Sequence, residues 1–319
     1  MREQSNELST PHPLDRAVAW LSQRSGLFSR GWGDDEVLTE FSCRERYLVA
    51  PRAICLDWKA VRQDGSQTCR DGTFRSPLTA LPDTVATAHV RAWSRDGNTT
   101  ACVMLAASRD EGYRVRERVF GALTGRGIDL YFLENPYYGL RRSGRGPSGI
   151  TVADHGLMAL GMVLEARALL KFLRPRYEKL AVAGYSMGGH MAALTAAVSP
   201  CPMACAALAT GASASAIYTR GLLSRSVDWE TLGGEAARER LRMLFDAADI
   251  TNFRPPMRAD AAVVSGCKHD GYVLLSETER LHSHWRGSVL RWIAAGHFSA
   301  LITQRCALQA CVEEAVEKL

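Results

Sequence analysis

From Thr99 onward, short apolar runs alternate with longer stretches in which apolar positions recur every three or four residues. "TTACVMLAA" (99–107), "IDLYFLE" (128–134), "KLAVAGYS" (179–186), "ACAALAT" (204–210), "AAVVSG" (261–266) and "SVLRWIA" (288–294) are near-continuous apolar segments of strand length. Between them lie helical patterns: "GYRVRERVFGALTGRG" (112–127) with its glycine stop, "TVADHGLMALGMVLEARALLKFL" (151–173), opened by Thr151 and closed before Pro175, a stretch starting near Met187, and "SETERLHSHWR" (276–286). A closing helix follows the last strand. Apolar strands separated by helices specify an α/β fold whose mostly parallel central sheet carries helices on both faces.

The alternation is interrupted twice. Ahead of it, "LDRAVAWLSQRSGLFS" (14–29) carries a helical pattern ended by "RGWG", and Tyr47 to Ser94 reads as short β-like pieces divided by "QDGSQTCRDG" and "LPD". Within it, residues 214–258 hold two further helical patterns, "SASAIYTRGLLSRS" and "EAARERLRMLFDAAD". An insertion at this point lies over the carboxyl edge of the sheet, where a cap or lid belongs. The expected organisation is an N-terminal extension over residues 1–95 packed on a core over 96–319, with a helical cap insertion at about 214–258.

Composition narrows the class. With 319 residues, 46% hydrophobic and 23% charged, the chain has ordinary globular proportions. The net charge of +5 rests on 34 arginines against 5 lysines, and the densest basic pieces, "RVRER" (114–118) and "RERLR" (238–242), are interleaved with acids. Both read as solvated helix faces, so no nucleic-acid partner is expected. Nine cysteines without paired spacing suggest a reducing compartment and no disulfide framework; neither "CPMAC" nor "HSH" has zinc spacing, so no metal or cofactor is expected. The first twenty residues include Glu3, Glu7 and Asp15 and lack an apolar signal core, and no run of about eighteen apolar residues occurs. The expected location is cytoplasmic. The N-terminal amphipathic helix reads as a packing element, with peripheral membrane contact as its alternative.

The chemistry centres on "GYSMG" (184–188), a G-x-S-x-G run that follows a strand and opens a helix, the setting of a nucleophile elbow. A serine hydroxyl near neutral pH needs a base, and the base an orienting acid, in the chain order serine, acid, histidine for this sheet type. His282 and His284 fall within a helix, whereas His297 in "AAGHFSA" follows a strand. Asp228, Asp246 and Asp249 belong to the inserted segment and Asp260 precedes its strand, whereas Asp270 in "CKHDGY" follows one. Ser186 is therefore assigned as nucleophile, Asp270 as orienter and His297 as general base, then acid. The oxyanion hole is expected from the N–H of Met187 and from that of Ala107 or Ser108. "ENPYYGLRRSGRG" (134–146), with Tyr137 and Tyr138, reads either as a substrate-facing loop whose Arg141 or Arg142 meets an anionic group or as a turn-rich connection with solvated arginines. His190 reads as a packing residue.

At these residues the chain resembles the α/β-hydrolase superfamily, and within it the α/β-hydrolase domain-containing protein 18 family. "FSRGWG" (28–33), "GTFRSPL" (72–78), "LENPYYGLR" (133–141), "YSMGGHMA" (185–192), "KHDGYV" (268–273) and "GHFSA" (296–300) carry the resemblance nearly end to end. It implies the α/β-hydrolase fold, the same three residues as nucleophile, acid and base, and acyl esters of phospholipids as the substrate class. The loop after the first core strand departs from the family, reading "LAASRD" (105–110) where that family is glycine-rich. The expectation is a lipase-like or esterase-like serine hydrolase acting on a small-molecule or lipid ester. A thioesterase or acyltransferase with the same triad, and a non-catalytic binding protein of this fold, are the alternatives.

Overall fold

The computed structural model describes residues 10–23, 26–142 and 150–319. Helix α1 (Pro13–Ser22) starts behind His12, whose ring nitrogen accepts the Leu14 N–H, and Pro13 occupies a first-turn position that needs no amide donor. It stops well short of the 14–29 pattern, and Gly26 beyond it takes a left-handed φ of 46°. Helix α2 (Asp35–Ser42), capped by the Asp34 carboxylate, and α3 (Arg44–Leu48) follow. Then come the antiparallel strands β1 (Asp57–Asp64), β2 (Gln67–Arg75) and β3 (Thr87–Arg95).

The core alternates as its pattern predicts: β4 (Thr100–Leu105), α4 (Arg114–Phe120), β5 (Ile128–Leu133), α5 (Val152–Leu173), β6 (Lys179–Tyr185), α6 (Met187–Val198) and β7 (Ala204–Leu208). The insertion holds α7 (Ser215–Thr219), α8 (Trp229–Leu232) and α9 (Ala236–Asp246), after which β8 (Ala262–Cys267), α10 (Leu275–His284), β9 (Val289–Ile293), α11 (His297–Thr303) and α12 (Arg305–Glu317) complete the chain. One nine-stranded sheet runs β1-β2-β3-β5-β4-β6-β7-β8-β9, parallel from β5 to β9. The N-terminal strands thus continue the core's own sheet. Thr151 closes a capping box with Asp154 at the start of α5, which is why that boundary was readable.

Strands β4, β5, β7 and β8 are buried at every position because both faces are covered. One apolar core packs α5, α6 and Leu281 of α10 against the sheet; the other packs Val119 and Phe120 of α4 and Leu308 and Val312 of α12. A third cluster joins Phe28 and Phe41 to Tyr218, Leu241 and Phe245 of the insertion. A parallel bridge between Leu27 and Val227 ties the N-terminal segment to the insertion. Among the described residues, no helix is long and apolar enough to cross a membrane.

Two patterns resolve differently from expectation. The 112–127 pattern is α-helical only to Phe120 and tightens into a 3-10 helix over Gly121–Arg126, where Gly121 lies so close to Trp93 that a Cβ would come within 2.5 Å of the indole. The "RVRER" piece is also not a uniformly solvated face. Arg116 is buried, paired with Asp110 at 2.8 Å, and donates to the carbonyls of Met104, Leu133 and Gly112. It cross-links the carboxyl ends of β4 and β5 beneath the site.

Candidate active site

Strand β6 turns into α6 through Ser186, whose φ of 56° and ψ of −120° are strained for a side chain with a Cβ, at a cost of about 1–3 kcal/mol. The Ser186 N–H donates to the Leu208 carbonyl at 2.9 Å, and the Ser186 carbonyl accepts the His190 N–H at 3.0 Å. A Cβ on Gly184 would stand 2.3 Å from the Gly188 carbonyl carbon, and one on Gly188 would stand 2.3 Å from the Leu105 carbonyl oxygen. Backbone, not flexible side chain, occupies both places, so the glycine spacing is a steric requirement of the turn.

His297 opens α11 just beyond β9, and Asp270 lies in the loop after β8. The Ser186 Oγ is 2.8 Å from His297 Nε2, and His297 Nδ1 is 2.7 Å from Asp270 Oδ2. The second Asp270 oxygen accepts the N–H groups of Tyr272 and Val273 at 2.8 and 2.9 Å, which fixes the carboxylate plane. The Tyr185 hydroxyl donates to the His297 carbonyl, and the rings of Tyr185 and Tyr272 lie 5.3 and 5.2 Å from the imidazole. Burial disfavours the imidazolium, but the carboxylates of Asp270 and Asp15 outweigh it and raise the His297 pKa above its ordinary value. Such a chain of bonds can accept a proton from the serine and return it to a leaving group.

Asp15, on α1, is a further residue of the site. Its side chain is fully buried; Oδ2 accepts the N–H of His297 at 2.8 Å and of Gly271 at 3.1 Å, while Oδ1 accepts the N–H of Phe298 at 3.0 Å. The His12 N–H donates to the His269 carbonyl at 2.9 Å, so α1 is stitched to both loops. In the sequence Asp15 reads as an ordinary first-turn acid that favours a helix start, and no local signal marks its partners.

A cavity of about 290 Å³ opens over Ser186. Its apolar walls come from Val18 of α1, Ile217, Tyr218 and Leu223 of the insertion, and Phe298 and Leu301 of α11, with Ala107, Ser108, Arg109 and Asp110 along one edge. Met187 also borders it. Arg109 takes a φ of 64° and its N–H donates to the Tyr138 hydroxyl, while the Asp110 N–H donates to the Ala107 carbonyl. Among the described residues, no hydrogen bond engages the N–H of Ala107, Ser108 or Met187. All three residues line the cavity that holds Ser186.

The described part of the loop expected to face substrate, residues 134–142, does not line this cavity. Tyr138 is buried behind the Arg109 turn, and Tyr137 is buried with a φ of 66°. Arg141 is fully buried and its guanidinium meets Glu165 and the carbonyls of Val85 and Glu134, so it is a structural cross-link and not an anion receptor. Arg142 is partly exposed and pairs with Glu111. Residues 143–149 of the loop lie outside the described residues. His190 is buried between the carbonyls of Gly211 and Ala248, each 3.2 Å away. Burial pulls its pKa down, so the neutral ring donates to one of the two, joining α6 to the base of the insertion.

A family model described as alpha/beta hydrolase domain containing 18 matches residues 25–235 and 231–318. Among solved structures, acetyl xylan esterase 1 from Thermoanaerobacterium sp. is 15% identical with a TM-score of 0.58, over 93% of this chain and 99% of that one. An S-formylglutathione hydrolase from Agrobacterium tumefaciens is 14% identical with a TM-score of 0.56, over 82% and 99%. A cold-adapted esterase from an Arctic intertidal metagenomic library is 15% identical with a TM-score of 0.54, over 82% and 99%. At these identities the likeness speaks for the fold, which is the α/β-hydrolase fold.

Proposed function

This chain belongs to the alpha/beta hydrolase domain containing 18 family, and from that premise we propose that it is a serine hydrolase cleaving a carboxylic ester of an acylated lipid. The observation that carries the reading is the unbroken series Ser186 Oγ, His297 Nε2, His297 Nδ1 and Asp270 Oδ2, with contacts of 2.8 and 2.7 Å at the floor of an apolar cavity.

In this reading Ser186 Oγ attacks the ester carbonyl while His297 Nε2 takes its proton. The oxyanion accepts hydrogen bonds from the Met187 N–H and from Ala107 or Ser108 across the cleft. The His297 imidazolium, oriented by Asp270, then protonates the departing alkoxide, leaving an acyl group on Ser186. Water enters, His297 takes its proton, and the second collapse releases the carboxylic acid and restores the serine. The apolar walls favour an acyl chain over a sugar or peptide, because they offer few groups to replace lost hydration. The cap residues Ile217, Tyr218 and Leu223 close over that chain.

The decisive test is labelling of purified protein by a fluorophosphonate, with hydrolysis of fatty-acyl esters followed in parallel. Both are expected for the wild type, and Ser186→Ala is expected to lose labelling and at least about 10³-fold in kcat. A well-folded wild type that neither labels nor hydrolyses would sink the reading and favour a binding role.

A further inference from the structure

Asp270 and His297 stand on separate loops, after β8 and β9; the His269 N–H donates to the Ala295 carbonyl at 3.0 Å, but this bond stops short of the two reacting residues themselves. Helix α11 begins at His297 behind Gly296, a residue with no side chain to satisfy the first-turn amides. The place a capping side chain would take is filled by α1: a Cβ on Gly296 would lie 2.3 Å from the Cβ of His12. The cap arrives instead from Asp15, whose carboxylate takes the N–H of His297 and of Phe298. The same carboxylate takes the N–H of Gly271, the residue after Asp270. Among the described residues, no ion pair reaches this buried acid. Its three acceptor bonds all go to backbone flanking the two residues that must meet.

We propose that Asp15 is a positioning residue of the hydrolytic site, a buried carboxylate that clamps the acid loop to the histidine loop and holds the His297 imidazole over Ser186. The inference rests on the serine-hydrolase reading and adds to it a role for the N-terminal extension. Charge-assisted bonds to backbone amides are the short, strong kind, and they fix main chain, not merely side chain. A displacement of about 1 Å at a reacting group can cost about 10²-fold in rate.

Asp15 also acts on the imidazole through space. The groups facing His297 are Asp270 from the loop after β8, Asp15 from α1, Tyr185 from β6 and Tyr272 beyond Asp270, with Cys267 next to the Tyr185 hydroxyl and Arg109 on the cavity edge. Two of these are carboxylates that favour the protonated ring. A purely architectural acid would leave the titration of His297 alone once the fold was intact, which separates the two roles.

Asp15→Asn removes the charge and turns one acceptor into a donor facing amide N–H groups; Asp15→Glu keeps the charge. The full-length proteins are compared by NMR titration of the His297 ring in a Ser186→Ala background, and by steady-state hydrolysis with active sites counted by fluorophosphonate. The expectation for Asp15→Asn is a His297 midpoint lower by about one pH unit and a kcat lower by about 10- to 100-fold, with KM within about twofold. Asp15→Glu is expected to recover the midpoint and part of kcat. If Asp15→Asn does not fold, Asp15→Ser, which retains one acceptor without charge, takes its place. A wild-type midpoint and wild-type kcat in the folded uncharged variant would overturn the inference while leaving the hydrolase reading intact. Failure of the wild type itself to label would overturn the hydrolase reading, and this role with it.

Discussion

Arg141 grips Glu165 with two bonds of 2.7 and 2.8 Å, and neither side chain is exposed at all. The same guanidinium donates twice to the Val85 carbonyl and once to that of Glu134, so one side chain joins the approach to β3, the end of β5 and the middle of α5. Breaking a buried pair by removing one partner strands a charge away from water. Arg141→Met and Glu165→Gln are each expected to cost about 3–5 kcal/mol of stability, read as a lowered Tm. In the fraction that stays folded, KM for a fatty-acyl ester is expected to hold. A several-fold rise in KM at unchanged Tm would return Arg141 to substrate recognition.

Asp270→Asn preserves shape but leaves His297 Nδ1 facing an amide that can present its donor side. With the imidazole in the wrong tautomer, kcat is expected to fall by about 10⁴-fold while KM stays within about twofold. Wild-type kcat in a correctly folded Asp270→Asn protein would remove it from the proton relay.

The raised His297 pKa sets opposite pH trends for activity and stability. Only the neutral ring can take the serine proton, so kcat/KM is expected to climb with pH through a single ionisation whose midpoint lies above the ordinary histidine value of about 6.5. The stability contributed by the protonated ring is complete below about pH 6.5, the value in the unfolded chain, and is lost as pH rises through the folded value. Kinetic profiles and thermal melts across the same window check both. A kcat/KM limb below pH 6 would contradict the carboxylate control of this ring.

Ile217, Tyr218 and Met187 separate the 290 Å³ cavity from a second apolar space of about 40 Å³ bordered by His155, Met191 and Phe245. Ile217→Ala is expected to join them and shift preference toward longer acyl chains. Each extra methylene buried is worth about 0.8 kcal/mol, or about fourfold in kcat/KM. A series of p-nitrophenyl esters of rising chain length reads this directly; an unchanged length profile would exclude the inner space as part of the acyl site.

The core elements and the residues of the proposed triad were legible because each depends on local pattern: apolar runs for β4 to β8, a capping box for α5, glycines flanking Ser186, and loops after strands for Asp270 and His297. The contacts of Arg116, Arg141 and Asp15 were not. Their partners are mostly backbone carbonyls and amides, which every residue possesses, so no pairing of charge types in the sequence announces them. Helix ends were similarly hidden where tertiary contact decided them, as at Gly121 against Trp93. The loop of residues 134–142 misled for a related reason. Arginine and tyrosine in a turn read as exposed until the fold supplies a buried carboxylate in α5.

The bond from the His297 N–H to Asp15 spans 282 residues. Closing so long a stretch of chain is entropically slow, and contacts of this separation form late in folding. Chain order adds to this, since β9 and α11 are followed by α12 alone among the described elements. The elbow of Ser186 is completed by nearer chain, its N–H held by the Leu208 carbonyl, whereas the loop that carries the imidazole is tied to α1. In the proposed hydrolase, the base is seated through a contact that draws α1 and α11 together across 282 residues of chain.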